Sequence, residues 1–236
     1  MAPKRLALLD SARGLALLLM AAYHLAFDLH FFKGYSIGIE SGCWLFFARA
    51  IAASFLFIAG AALCISDSRL GEKERGRHHF KRGAYIFGAG MLVTAATVGL
   101  YPAQGIWFGI LHCIGACVML FWPLAGLGRW NLAMAAALLV AGFGAGGVAL
   151  SFPWLLWLGF APAGFQSFDY VPLIPWAAPF LLGLWAGKPI LAWLKKSADF
   201  GAGNLGLNWL AWLGRNSLLF YLVHQPVLVA MVLAFG

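Results

Sequence analysis

The sequence predicts an all-α polytopic membrane protein: about seven transmembrane helices in one bundle, interfacial or re-entrant segments between them, and a cytoplasmic N-terminus. Three observations predict it. Of the 236 residues, 63% are hydrophobic and only 10% charged, and the mean hydropathy is +0.85, a composition that suits lipid and not water. Apolar runs of membrane-spanning length recur along the whole chain. Of the 16 basic residues, only Lys33 and Arg49 fall on or toward the far side; the rest lie in short segments that this reading places in the cytoplasm. The net charge of +8 is therefore mostly an orientation signal, and nucleic acid is not an expected partner. No stretch is polar enough for a separate soluble domain, so residues 1–236 read as one transmembrane domain.

The first apolar segment, residues 6 to 32, carries charges that a plain membrane anchor would lack. Lys4 and Arg5 precede it as in a secretory signal, but the run continues past signal length and reads as a retained anchor helix. At about 100° per residue, Asp10, Arg13, His24 and Asp28 share one stripe, with Arg13 and His24 roughly 16 Å apart along it. Ionisable groups inside a membrane helix are costly and normally line a bundle interior or a wet cavity. Asp10 and Arg13 lie near the helix start, where snorkelling and an i, i+3 pair are the competing explanation. His24 and Asp28 lie deeper. At i, i+4 the carboxylate is placed to accept an imidazole N–H, which would fix the tautomer and free the other nitrogen as a base.

A second helix is expected from about Gly42 to Ser66, with the small-residue run FLFIAGAAL for close helix contact. Its Arg49 either snorkels or holds an anionic group. The basic segment 67–82 reads as a cytoplasmic loop in which His78 and His79 are solvated. A third helix, about Gly83 to Tyr101, ends at Pro102, and a fourth, about Ile106 to Leu124, contains the intramembrane His112. The Ala/Gly-rich fifth, about Leu132 to Leu150, has no ionisable group. The Trp-, Pro- and Gly-rich stretch that follows, with Asp169 in it, reads as interfacial or re-entrant, and a sixth helix spans about Leu173 to Gly187. The run from Lys188 to Asn216, with Lys195 and Lys196, is expected at the cytoplasmic interface. The last helix, from about Asn216, places Ser217, Tyr221, His224 and Gln225 on one face, with a kink expected at Pro226. Arg215 then lies with Arg13 near the cytoplasmic surface, and the His and carboxylate groups lie deeper.

This arrangement suits a phosphate-bearing molecule entering a basic inner vestibule, because guanidinium presents forked donors to phosphate. The deeper His and carboxylate suit proton abstraction from an attacking amine or hydroxyl. No P-loop, GxGxxG or HExxH element is present. Cys43, Cys64, Cys113 and Cys117 lack metal or disulfide spacing, and no metal is expected. A proton-coupled transporter or flippase could use the same buried charges, and a bis-His haem protein could use pairs among His24, His112 and His224.

The combination of DSARG with a histidine ten residues further on, FLFIAG, GILHCIG, DYVPLIPW and GRNSLLFYLVHQPV resembles, in order and through almost the whole chain, the catalytic domain of heparan-alpha-glucosaminide N-acetyltransferases and their bacterial relatives, within the transmembrane acyltransferase superfamily. The resemblance implies acetyl transfer from cytoplasmic acetyl-CoA to an amine or hydroxyl of an extracytoplasmic sugar or glycan, in a bacterial inner membrane. It implies that His24 is catalytic, as base or acyl carrier, with Asp28 beside it. It further implies that Arg13, with Asp10, and the Arg215/Ser217 motif serve the donor. Arg49, His112, Asp169, Tyr221, His224 and Gln225 are candidates for acceptor contacts or support. Set against the animal enzymes, the shorter sequence leads to the expectation that an additional luminal domain is lacking, which points away from heparan as the acceptor. A homo-oligomer is compatible with the sequence.

Overall fold

The computed structural model describes residues 7–39, 41–145, 150, 152–196 and 205–235. Lys4 and Arg5, the end of the expected fifth helix and residues 197–204 of the interfacial run lie outside the described residues, as do the side chains of Lys195 and Lys196. Among the described residues there are eight α-helices, two 3-10 turns and no β-strand: α1 (Ala7–Lys33), α2 (Gly42–Asp67), α3 (Glu72–Leu100), α4 (Ile110–Phe121), α5 (Trp130–Ala145), α6 (Leu173–Lys196), α7 (Leu205–Arg215) and α8 (Ser217–Phe235). Five of them, α1, α2, α3, α6 and α8, are long and apolar enough to cross a membrane. The expectation of seven spans is corrected in this respect: α4 with its following 3-10 turn, and α5, are apolar but shorter; α4 starts only after Gly109, whose backbone is extended, and gives way at Pro123 to the 3-10 turn.

The chain divides into two compact units, residues 1–55 with 193–236, and residues 56–192. In the first, α1 contains no proline and no β-branched residue, and its Leu- and Ala-rich sequence is intrinsically helical. Asp10 lies in its first turn and His30 and Lys33 in its last, which suits the helix dipole. It stops at Gly34, whose φ of 72° is open to glycine at little cost. The α7 helix packs on α1 through reciprocal glycines: a Cβ at Gly14 would strike the Leu210 carbonyl, and one at Gly214 would strike the Asp10 carbonyl. Ser11 Oγ also donates to the Leu207 carbonyl at 2.9 Å. Leu17 and Met20 of α1 and Ile51 of α2 form a buried cluster with Tyr23, Phe47, Phe55, Phe220 and Tyr221 around it.

The second unit uses the same device. A Cβ at Gly60 of α2 would strike the Phe180 carbonyl of α6, and one at Gly183 of α6 would strike the Phe57 carbonyl of α2. Gly83 of α3 and Gly115 of α4 lie against each other in the same reciprocal way. Around these seams Leu56, Ala61, Leu63, Ala177, Ala178, Phe180, Leu181 and Leu184 are essentially inaccessible. In a bilayer there is little hydrophobic gain between helices, so close backbone approach and dispersion supply the attraction.

Several boundaries differ from the sequence expectation. The basic segment is not a loop: α3 begins at Glu72, eleven residues before the expected start. Glu, Lys and Arg are good helix formers, and Glu72 and Glu74 occupy the first turn, where negative charge is favoured. His79 is consequently turned inward and fully buried. Its Nε2 lies 3.2 Å from Asp67 Oδ1, and its ring stacks on Trp122. Helix α6 continues through Gly187 and Pro189 to Lys196; a membrane helix tolerates such prolines where neighbouring groups satisfy the freed backbone. The Trp- and Pro-rich stretch contains a 3-10 turn at Leu156–Leu158 and is pinned by hydrogen bonds, including Phe168 N–H to the Gln104 carbonyl and Val171 N–H to the Phe108 carbonyl, both 2.9 Å.

Gly183→Leu is expected to lower the melting temperature of the detergent-purified protein, since overpacking costs about 1–3 kcal/mol. Gly88→Leu, at a position where a Cβ meets nothing within 4 Å, is the control expected to leave it unchanged. Thermal unfolding followed by circular dichroism reads both.

Candidate active site

Helices α1 and α8 of the first unit bring the candidate residues together in rungs. The imidazoles of His24 and His224 meet edge to face with ring centroids 5.0 Å apart. Each ring is tied to its own helix: His24 Nδ1 lies 2.9 Å from the Met20 carbonyl, and His224 Nδ1 lies 2.6 Å from the Tyr221 carbonyl. A carbonyl oxygen only accepts, so both Nδ1 atoms carry hydrogen and both Nε2 atoms present a lone pair. His224 Nε2 is buried and without a partner among the described residues. Phe220 stacks on the His224 ring, Tyr221 tilts against it and Tyr23 meets the His24 ring edge-on. Direct contact of the two imidazoles leaves no room for a porphyrin between them.

One turn further along α1 lies a second rung. Gln225 Nε2 donates to Asp28 Oδ1 at 2.7 Å. Asp28 is fully buried, and its Oδ2 and the Gln225 Oε1 have no partner among the described residues. The expected hydrogen bond from His24 to Asp28 is therefore corrected. The His24 N–H is satisfied within its own helix by the carbonyl four residues back, while the carboxylate reaches across to α8.

Toward the start of α1, the i, i+3 pair is formed. Arg13 Nη1 donates to Asp10 Oδ1 at 3.0 Å and to the Gly214 carbonyl at 3.4 Å. The second contact places a cation at the C-terminal end of α7, where it is favoured. Two of the five guanidinium N–H groups are thus engaged, which leaves Nε and Nη2. Arg215, the last residue of α7, is exposed, and Ser217 begins α8. Arg49 is exposed on α2, which fits its snorkelling alternative.

His112 and Asp169 belong to the second unit, where both are structurally engaged. The Gly109 N–H donates to His112 Nδ1 at 3.2 Å, so Nε2 carries the ring hydrogen and donates to Thr94 Oγ1, also at 3.2 Å. Thr94 Oγ1 in turn donates to the Ile106 carbonyl at 2.6 Å. Both nitrogens of His112 are occupied. Asp169 Oδ2 accepts the Ile110 N–H at 2.8 Å and so satisfies one of the open donors at the start of α4. Thr94 and Ser11 were not among the sequence-derived candidates. A threonine or serine in an apolar helix was their only signal, and their partners are distant in the chain. Among the described residues no three His, Cys, Asp or Glu side chains are grouped as metal ligands.

Long apolar helices carrying paired imidazoles and a buried carboxyl define an integral membrane protein with a polar centre built between two of its helices. The model of the heparan-alpha-glucosaminide N-acetyltransferase catalytic domain family matches residues 5–226. The chain belongs to this family, and membership makes it a membrane acetyltransferase. No curated protein and no solved structure gives a significant match.

Thr94→Val is expected to lower thermal stability, because it leaves the His112 Nε2–H buried without an acceptor, at a cost of about 1–3 kcal/mol. Thr94→Ser, which restores the hydroxyl, is expected to recover most of the loss in the same unfolding measurement.

Proposed function

We propose that this protein transfers an acetyl group from cytoplasmic acetyl-CoA to an amine or hydroxyl of a sugar or glycan on the other side of a bacterial inner membrane, with His24 as the base. The observation that carries the reading is the 2.9 Å contact of His24 Nδ1 with the Met20 carbonyl, from which the tautomer follows. The Nδ1–H is held by that carbonyl, so Nε2 is oriented and free to accept a proton.

In the reaction, the acceptor nitrogen or oxygen attacks the thioester carbonyl carbon while its proton passes to His24 Nε2. The tetrahedral intermediate then collapses, the carbon–sulfur bond breaks, and the CoA thiolate leaves and takes up a proton as free thiol. An N-acetyl or O-acetyl product remains. His224, in contact with His24 and with its own Nε2 free, is the neighbouring group that can receive the proton from His24 between turnovers. Tyr221 supports it through its carbonyl. A positioned general base of this kind contributes about 10²–10⁴ in rate.

The donor's phosphates are assigned to Arg13 and Arg215. Arg13 keeps the N–H groups not used by Asp10 and Gly214, and Arg215 is accessible at the same end of α1 and α7. Asp10 holds Arg13 in place, and Ser217 offers a hydroxyl next to this end.

Calorimetry of acetyl-CoA binding to the detergent-purified protein, alongside thiol release with glucosamine as acceptor, tests the assignment. His24→Ala is expected to reduce transfer by about 10²-fold or more while donor binding stays within a few-fold. Arg215→Ala is expected to weaken donor binding without lowering thermal stability. Near-normal turnover of His24→Ala would remove His24 from the role of base.

A further inference from the structure

We infer that Asp28 carries a proton and forms a head-to-head acid–amide pair with Gln225, a clamp that sets the His24–His224 rung. The argument starts from the inventory of donors. The primary amide of Gln225 has an N–H that it gives to Asp28 Oδ1 at 2.7 Å, and an oxygen, Oε1, that can only accept. An ionised Asp28 would also offer only acceptors. Two buried oxygens, Asp28 Oδ2 and Gln225 Oε1, would then stand without any donor, beside a full negative charge inside the membrane. Such a charge is strongly disfavoured unless paired.

No pairing group is at hand among the described residues. Arg13 pairs with Asp10, and Arg75 and His79 pair with Asp67, while Asp28 Oδ2 has no hydrogen-bond partner among the described residues. The candidate site's own imidazoles are His24 on α1 and His224 on α8. Both imidazoles spend their N–H on backbone carbonyls. On α2, Arg49 is exposed and makes no bond to Asp28. One proton on Asp28 Oδ2 resolves both orphaned atoms, because a carboxylic acid and a primary amide each present one donor and one acceptor side by side. The amide orientation does not alter this. Exchanging its oxygen and nitrogen would set two oxygens face to face across the same 2.7 Å, and a carboxyl proton would again be needed to join them.

A neutral acid used as a donor is a known device of buried polar sites. Here it fastens α1 to α8 one turn beyond His24 and one residue beyond His224. Asp28 is then a positioning residue for the two imidazoles and not the charge partner of His24. The consequence for catalysis rests on the acetyl-transfer reading above, whereas the proton itself does not.

Infrared difference spectroscopy of the full chain in detergent at neutral pH reads the proton directly. Wild type minus Asp28→Asn is expected to show the carbonyl stretch of a protonated carboxyl, shifted by exchange into D₂O. Loss of ionised carboxylate bands alone would overturn the inference. In thiol release from acetyl-CoA with glucosamine, Asp28→Asn rebuilds the clamp as an amide–amide pair and is expected to stay within about threefold of wild type, while Asp28→Leu falls by about tenfold or more. Equal losses in the two variants would show that an amide does not rebuild the clamp and would overturn the positioning role. The infrared arm needs no turnover, so failure of the acetyl-transfer reading would leave it decisive.

Discussion

Inside a hydrocarbon layer a polar hydrogen or lone pair has no water to turn to, so each must be met within the protein. Helical backbones satisfy their own amides, but a side chain in a spanning segment must borrow a carbonyl from its own helix or find a partner on a neighbour. The polar side chains of this protein divide along that line. His24 and His224 take the carbonyls of Met20 and Tyr221 on their own helices. Ser11, Arg13, Asp28 and Gln225 reach across helices. The first solution leaves a helix free of any particular neighbour, and the second fixes which helices must touch and in what register.

Cross-helix bonds of about 3 Å require backbones close enough for short side chains to span the gap. Glycine supplies that proximity. Gly14 and Gly214 set α1 directly on α7, where Ser11 and Arg13 then reach the carbonyls of Leu207 and Gly214. In the second unit Gly83 and Gly115 set α3 on α4, and a Cβ at Gly90 would meet the His112 ring whose Nε2 reaches Thr94. The glycine seams and the polar bonds are thus parts of one arrangement. The seam brings the backbones together, and the bond selects the register at which they stop.

The sequence disclosed the elements better than their connections. Six of the seven expected helices begin within four residues of observed ones, because unbroken apolar runs have few alternatives in lipid. The exception, α3, begins far earlier than expected. A run of charge suggests a loop, but Glu, Lys and Arg favour helix and the positive-inside pattern says nothing about secondary structure. The burial of His79 is hidden with it, since Asp67 and Trp122 can bury it only once that stretch is helical. At the candidate site, the residue types and the common face of α8 were legible, whereas the partners were not. His24 and Asp28 stand at a spacing that permits a bond, yet nothing in α1 reveals that Gln225, 197 positions away, occupies the carboxyl instead.

Whether an imidazole in an apolar helix can take up a proton depends on the occupancy of its two nitrogens, and His112 and His24 differ in that occupancy. His112 is engaged at Nδ1 by the Gly109 N–H and at Nε2 by Thr94. Protonating it would require displacing the Gly109 amide, so the ring serves as a bridge between the start of α4 and α3. Among the described residues His24 is engaged at Nδ1 alone, by a carbonyl that leaves the lone pair on the opposite side of the ring untouched. Both are imidazoles in apolar helices of the same chain, and sequence alone does not tell which nitrogen of either is left open. The direction of a single hydrogen bond does so: an N–H pointing at the ring ties up a lone pair, whereas a carbonyl oxygen at the same distance exposes the other one. Because the Met20 carbonyl is part of the α1 ladder, the orientation of the His24 ring, and with it the direction of its second nitrogen, is fixed by the helix itself.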